Sequence, residues 1–124
     1  MKDGRHVVLC IDDEKDVTES LSIILEANDY HVVTAESAKE GLELFKKEKP
    51  DMVLVDLAME TVDAGAVFAS EAKKLNSTIP IYLLSSLGDS LERNVDYAEL
   101  GFSGVLQKPM HPGKLLSIVN KELR

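Results

Sequence analysis

The chain has 124 residues, of which 14 are basic and 22 acidic, so its formal net charge is -8. This length favours one domain that can bury a core without disulfides, and the scattered basic residues disfavour direct binding of nucleic acid. The N-terminus lacks a signal peptide's apolar core, and no apolar run approaches the roughly 20 residues that span a bilayer. We therefore expect a soluble cytoplasmic domain with no membrane attachment.

The first half of the chain predicts three strands separated by two helices. In chain order these are a strand at His6 to Ile11, a helix marked by Val17, Leu21, Ile24 and Leu25 that runs to about Asn28, a strand at His31 to Thr34, a helix marked by Ala38, Leu42 and Phe45, and a strand at Met52 to Val55. Ser37 is placed to cap the second helix, and Pro50 separates that helix from the third strand. Cys10 lies inside the first apolar run and is expected to be a small buried side chain.

The second half predicts three helices and two strands. In chain order these are a helix marked by Val67, Ala69, Ala72 and Leu75, a strand at Ile79 to Leu84, a weaker helix marked by Leu91, Val95 and Ala98, a strand at Val105 to Gln107, and a last helix marked by Leu115, Leu116 and Val119 that Pro112 could begin. Parallel neighbours need crossover connections, which helices supply. The alternation therefore predicts an α/β fold with one five-stranded parallel sheet covered on both faces.

Charged or hydroxyl side chains stand at the carboxyl ends of four predicted strands. They are Asp12 and Asp13, Asp56, Ser85 and Lys108. Ligands of such sheets bind beyond the carboxyl ends of the strands, so these side chains are expected to converge. Each has a plainer explanation when taken alone: helix capping for the acidic pair, turn chemistry for Ser85, and an exposed lysine for Lys108.

Three gathered carboxylates require either a compensating cation or a raised pKa. Two unit charges about 4 Å apart repel by roughly 4 kcal/mol at an effective dielectric constant near 20. Carboxylate oxygens without His or Cys ligands favour Mg²⁺, and Lys108 supplies a further cation. His6, His31 and His111 share no ligand spacing and are expected to be strand-edge or cap residues.

The ordered set of motifs resembles the receiver domain of two-component response regulators over nearly the whole chain. The motifs are Asp12-Asp13 after the first strand, Asp56 in Leu-Val-Asp-Leu-Ala-Met, Ser85 after Pro-Ile-Tyr-Leu-Leu, and Lys108-Pro109 after Gly101-Phe-Ser-Gly. The resemblance implies a doubly wound, flavodoxin-like and CheY-like fold with strand order 2-1-3-4-5. It also implies that residues 1–124 form one receiver domain, with no output domain in this chain.

The resemblance further implies that Asp56 is the nucleophile. It would take a phosphoryl group from the phosphohistidine of a sensor histidine kinase or histidine phosphotransfer protein, while Ser85 and Lys108 hold phosphoryl oxygens. The implied ligands of Mg²⁺ are Asp13, Asp56 and the backbone carbonyl of Ala58, with Asp12 acting through water. The Lys108-Pro109 peptide would be cis. Such a protein is a signalling phosphoacceptor and not an enzyme in the usual sense.

Phosphorylation would draw the Ser85 hydroxyl inward and move the loop Ser86 to Asp89. The family's α4-β5-α5 face, built here from the fourth predicted helix, the fifth strand and the last helix, would then bind an output domain or a downstream protein; a homodimer is left open. Val105 occupies the usual position of an aromatic switch residue. Ala58 and Leu87 offer no polar side chain to orient water, so a long-lived phosphoryl group is expected.

The same residues disfavour two other functions that share this type of fold or nucleophile. A haloacid-dehalogenase-like phosphatase needs a second Asp two residues after its nucleophile, where this chain has Ala58. A flavodoxin-like binder needs hydroxyls and backbone donors for a flavin phosphate, where this chain has Asp12-Asp13. The stronger alternative is a receiver-like interaction module that signals without phosphorylation. The complete set of charged residues argues against it, because a purely structural domain gains nothing from clustered carboxylates.

Overall fold

The computed structural model describes residues 1–56, 64–86, 101–108 and 111–124. In chain order, these contain the elements β1 (Val7–Ile11), α1 (Lys15–Glu26), β2 (His31–Ala35), α2 (Ala38–Glu48), β3 (Met52–Asp56), α3 (Ala64–Leu75), β4 (Ile81–Ser86), β5 (Gly104–Lys108) and α4 (Pro112–Leu123). The strands form one parallel sheet in the order β2-β1-β3-β4-β5. The expected α/β fold and strand order are confirmed.

The capping predictions for two helices can be compared with the structure directly. Ser37 is the N-cap of α2, and its hydroxyl accepts a hydrogen bond of 3.1 Å from the backbone N–H of Glu40. Pro112 begins α4, with His111 as the N-cap residue whose ring accepts from the backbone N–H of Lys114. The fourth predicted helix, marked by Leu91, Val95 and Ala98, lies outside the described residues.

The third helix is present, but only two of the four residues that marked it lie on its buried face. Val67 and Leu75 are 56% and 54% exposed. Ala69 and Ala72 are buried, and the same buried face also includes Ala64, Gly65 and Phe68. The helix starts at Ala64, before the first marked residue, and the buried ring of Phe68 lies on the face that meets the sheet.

The sheet is covered on both faces by apolar side chains of the helices. On one face, Phe45 of α2 and Phe68 of α3 make an edge-to-face contact with ring centroids 6.1 Å apart. On the other face, residues of α1 and α4 pack against the sheet, namely Leu21, Leu25, Leu115 and Val119. Among the described residues, the helices all fall short of the length and apolar character needed to cross a bilayer.

Helix α2 lies unusually close to the end of β1. A Cβ atom added to Gly41 would stand 2.4 Å from Cδ1 of Ile11, which is nearer than real Cβ atoms approach. Ile11 is fully buried and directly precedes the acidic pair. A side chain at position 41 would therefore force the buried side chain of Ile11 to shift.

The expected burial of Cys10 is confirmed and makes a testable prediction. Its side chain is fully buried in β1, and burial, assisted by the charge of Asp12, raises the pKa of the thiol to about 12. The thiolate is the reactive form of cysteine. We expect the folded protein to react with a thiol reagent such as DTNB only after unfolding in denaturant. Rapid reaction of the native protein would contradict the packing around β1.

Candidate functional site

Parallel pairing brings the ends of four strands to one edge of the sheet. Ile11 at the end of β1 pairs with Val55, one residue before Asp56. Asp56 in turn pairs with Leu84 of β4, and Ser85 pairs with Gln107, the residue before Lys108. The polar side chains at these ends consequently occupy adjacent positions along the edge.

Asp12, Asp13 and Asp56 form a carboxylate cluster. One oxygen from each side chain lies within 4.8 Å of the others, with Asp12 and Asp56 buried and Asp13 exposed. The backbone N–H of Asp12 donates to the carbonyl of Ala35 at the end of β2, at 3.0 Å. Its Oδ1 accepts from the backbone N–H of Glu14 at 2.9 Å, so Asp12 is held from both sides.

Lys108 reaches into this cluster from β5. Its Nζ lies 2.7 Å from Oδ2 of Asp12 and 3.1 Å from Oδ1 of Asp56, and the side chain is 9% exposed. Burial acts to lower the pKa of Lys108, but the two neighbouring carboxylates outweigh it and raise that pKa above its usual value. The ammonium is therefore firmly charged and is shared between the two buried aspartates.

Asp56 is the carboxyl group whose protonation the site perturbs. Burial raises its pKa from 3.8 to about 6, and the charges of Asp12 and Asp13 act in the same direction. The hydrogen bond from Lys108 opposes this rise without cancelling it. The count of charges gives the same picture, because three carboxylates face one ammonium and a second cation would offset part of the excess.

The donor atoms suit a hard divalent cation. The three clustered side chains offer only carboxylate oxygens, the ligand type that Mg²⁺ prefers. Oδ2 of Asp12 is buried. Among the described residues, it makes an ion pair with Nζ of Lys108 at 2.7 Å. The cluster thus offers a divalent cation the ligand type that it prefers, next to an ammonium that already contacts Asp12.

The remaining predicted site residues fall into two groups. Ser85 is fully buried in β4, next to the end of the strand, and Val105 is half-buried against the core on the α2 and α3 face. Other positions lie outside the described residues: Ala58, Leu87 and Pro109. The backbone carbonyl ligand and the cis peptide expected there remain predictions.

His6 and His31 lie away from the carboxylate cluster, and one acidic residue was missed. Nδ1 of His6 is 3.7 Å from Oδ2 of Asp51, and His31 begins β2, at the opposite ends of the strands. Glu14 was not singled out, although its Oε1 lies 3.5 Å from Nζ of Lys108. The only sequence signal was its place in the run Asp12-Asp13-Glu14.

Comparison with known proteins shows the same family throughout. The model of the response regulator receiver domain matches residues 8–120. The probable transcriptional regulator ycf27 of Guillardia theta is 37% identical over 120 residues, which cover 97% of this chain and 46% of that protein. The transcriptional regulatory protein GlrR of Escherichia coli is 33% identical over 116 residues, covering 94% of this chain and 26% of that protein. The chain thus spans half or less of the length of these two relatives.

Solved structures agree with the sequence relatives. The chemotaxis response regulator CheY4 of Vibrio cholerae has a TM-score of 0.84 at 27% identity, covering 96% of this chain and 99% of that chain. A CheY-like receiver domain protein of Methanospirillum hungatei has a TM-score of 0.87 at 26% identity, covering 97% and 94%. The chain therefore belongs to the response regulator receiver domain family of two-component signalling proteins.

Proposed function

We propose that this receiver domain takes a phosphoryl group onto Asp56 from the phosphohistidine of a sensor histidine kinase or a histidine phosphotransfer protein. The observation that carries the proposal is the convergence of three carboxylates and one buried ammonium at the carboxyl edge of the sheet. Transfer of a phosphoryl group depends mainly on positioning and on neutralising charge. This arrangement supplies fixed groups for both.

Asp56 is better suited to act as the nucleophile than its neighbours. Asp12 is fully buried, with one oxygen bound to the backbone of Glu14 and the other facing Lys108. Asp13 is exposed beside the cluster and is free to bind a cation. Asp56 sits between the other groups on β3 and keeps 6% of its surface accessible. An oxygen of Asp56 would attack phosphorus, and the bond between phosphorus and the histidine nitrogen would break, leaving an acyl phosphate.

The other residues of the site would hold the transferred group. Asp13 and Asp56 would bind Mg²⁺ directly and Asp12 through water, with the backbone carbonyl of Ala58 as an expected further ligand. When bound, the metal supplies positive charge that offsets the phosphoryl oxygens. The ammonium of Lys108, already 3.1 Å from Oδ1 of Asp56, would pair with one phosphoryl oxygen, and the hydroxyl of Ser85 would donate to another.

The described part of the proposed output face is joined to β4 by Tyr82. A Cβ atom at Gly104 of β5 would lie 2.8 Å from Cε2 of Tyr82, so the tyrosine ring covers a position where no side chain fits. The hydroxyl of Tyr82 donates to Oε2 of Glu122 on α4 at 2.6 Å. This hydrogen bond links β4 to α4 without an aromatic residue at Val105. The occupant of that face would be an output domain or a downstream protein.

Phosphorylation with a small-molecule donor tests the proposal. The protein is incubated with Mg²⁺ and acetyl phosphate, and its intact mass is measured. We expect the mass of one phosphoryl group to be added, and the gain to be absent in Asp56→Ala and after removal of metal with EDTA. Asp16→Ala, which removes an exposed carboxylate of α1, is the matched control and should retain the gain.

Two results would overturn the proposal. One is a mass gain that persists in Asp56→Ala, which would place the phosphoryl group elsewhere. The other is a natural chain that is folded, binds Mg²⁺ and yet gains no mass. That second result would favour the alternative function, a receiver-like module that binds partners without phosphorylation.

A further inference from the structure

The side chain of Glu14 is directed away from the helix that it begins. Glu14 is the N-cap residue of α1, but its side chain makes no capping hydrogen bond. Glutamate is not among the residues favoured at this position, where a shorter side chain satisfies the free N–H groups of the first turn. Instead, Oε1 of Glu14 lies 3.5 Å from Nζ of Lys108, across the edge of the sheet. The carboxylate of Glu14 therefore contacts the lysine of the site and does not cap the helix.

We propose that Glu14 is a positioning residue that holds the ammonium of Lys108 in the resting protein and releases it when a phosphoryl group arrives. The inference rests on the proposed function of Asp56. Three carboxylates surround the ammonium, which has three N–H groups to share among them. A phosphoryl oxygen can bind the same ammonium only if one of these contacts lengthens.

The three contacts differ in how easily they can be given up. Asp12 is fully buried and fixed through both carboxylate oxygens. Asp56 is the reacting group, so its position is required for the transfer. Glu14 makes the longest of the three contacts, and its side chain is 62% exposed, so water can replace the ammonium as its partner at little cost. Glu14 is therefore the contact expected to open.

The negative charge of Glu14 would also change the binding of Mg²⁺ and of the phosphoryl donor in opposite directions. It attracts a divalent cation and repels an incoming phosphoryl donor. Loss of the charge should weaken binding of Mg²⁺ about two- to fivefold, because the side chain is exposed and its field is partly screened. The rate of phosphorylation at saturating Mg²⁺ should rise by about the same factor. A purely structural role at the start of α1 would produce neither change.

The variant Glu14→Gln keeps the size of the side chain and removes its charge. Asp16→Asn is the matched control, since Asp16 is an exposed acidic residue in the first turn of the same helix. Three quantities are measured in the full chain: the Kd of Mg²⁺ from amide chemical shifts, the rate of phosphorylation by acetyl phosphate, and the ammonium resonance of Lys108 in the metal-free protein. We expect all three quantities to change in Glu14→Gln. In Asp16→Asn, the Kd and the rate should change by less than about 1.5-fold, and the Lys108 resonance should show only a minor shift.

A second variant distinguishes an effect on the start of α1 from an effect on the ammonium of Lys108. Glu14→Asp shortens the side chain, which should let it cap α1 but no longer reach Lys108. We expect the Lys108 resonance to move as in Glu14→Gln while the stability of the fold is unchanged or higher. If the Lys108 resonance and the Mg²⁺ affinity of Glu14→Gln match those of Asp16→Asn, the inference is wrong even where the natural chain is phosphorylated on Asp56. A natural chain that takes up no phosphoryl group instead refutes the proposed function.

Discussion

In protein stripped of divalent metal, Lys108→Met is expected to lower the free energy of unfolding by about 3–5 kcal/mol. The substitution leaves the buried carboxylates of Asp12 and Asp56 without the ammonium that lies 2.7 Å and 3.1 Å from them. Removing one partner of a buried ion pair costs more than the pair contributes, because the remaining charge is neither solvated nor paired. Urea denaturation in the presence of EDTA measures the loss.

The same experiment has an internal control and a second expected result. Lys114→Met removes an exposed lysine of α4 and should change the stability by less than about 0.5 kcal/mol. Adding Mg²⁺ should restore part of the stability of Lys108→Met, because a divalent cation bound by Asp12, Asp13 and Asp56 replaces the missing charge. A loss below about 1 kcal/mol in EDTA would mean that the carboxylates are better solvated than their burial indicates.

Asp56→Asn is expected to act in the opposite direction and stabilise the metal-free protein by about 2–3 kcal/mol near neutral pH. Burial, with help from Asp12 and Asp13, raises the pKa of this carboxyl from 3.8 to about 6, so ionising it is less favourable in the folded chain than in the unfolded one. A pKa difference of one corresponds to about 1.4 kcal/mol. The amide removes this cost and can still accept a hydrogen bond from Lys108.

The dependence on pH identifies the cause. A carboxyl group with a raised pKa in the folded state contributes its stability below the unfolded pKa, near 4, and loses it as the pH rises through about 6. The advantage of Asp56→Asn should therefore shrink towards zero as the pH falls from about 7 to about 4. Saturating Mg²⁺ should also reduce it. If the variant is less stable than the natural chain in EDTA at neutral pH, burial of ionised Asp56 does not carry the cost assigned to it here.

Features that depend on short stretches of sequence were predictable. The apolar run around Cys10 predicts a buried strand, and Ser37 predicts a helix start, because both effects act between residues close in the chain. The meeting of Asp12 with Asp56 follows from a general property of parallel sheets, that the carboxyl ends of the strands share an edge. The order of the strands came from the resemblance to receiver domains, since pairings between distant segments leave little trace in a single sequence.

Features that depend on side-chain direction were not predictable. Val67 and Leu75 fit a helical repeat, yet Phe68 faces the sheet and turns both of them towards solvent. Glu14 looks like an ordinary residue of a first helical turn until the position of Lys108 on β5 is known. In both cases the outcome depends on how the helix is rotated and on which strand lies beside it. Neither quantity can be read from local composition.

The position of the ion pairs along the chain has a consequence for biosynthesis. The partners Asp56 and Lys108 are separated by 52 residues, so a ribosome completes Asp12 and Asp13, which follow β1, and Asp56, which ends β3, well before it adds the lysine. During that interval the nascent chain carries the carboxylates without this counter-ion. Until β5 has been synthesised, the carboxyl ends of the earlier strands therefore lack the ammonium that the folded domain places 3.1 Å from Asp56.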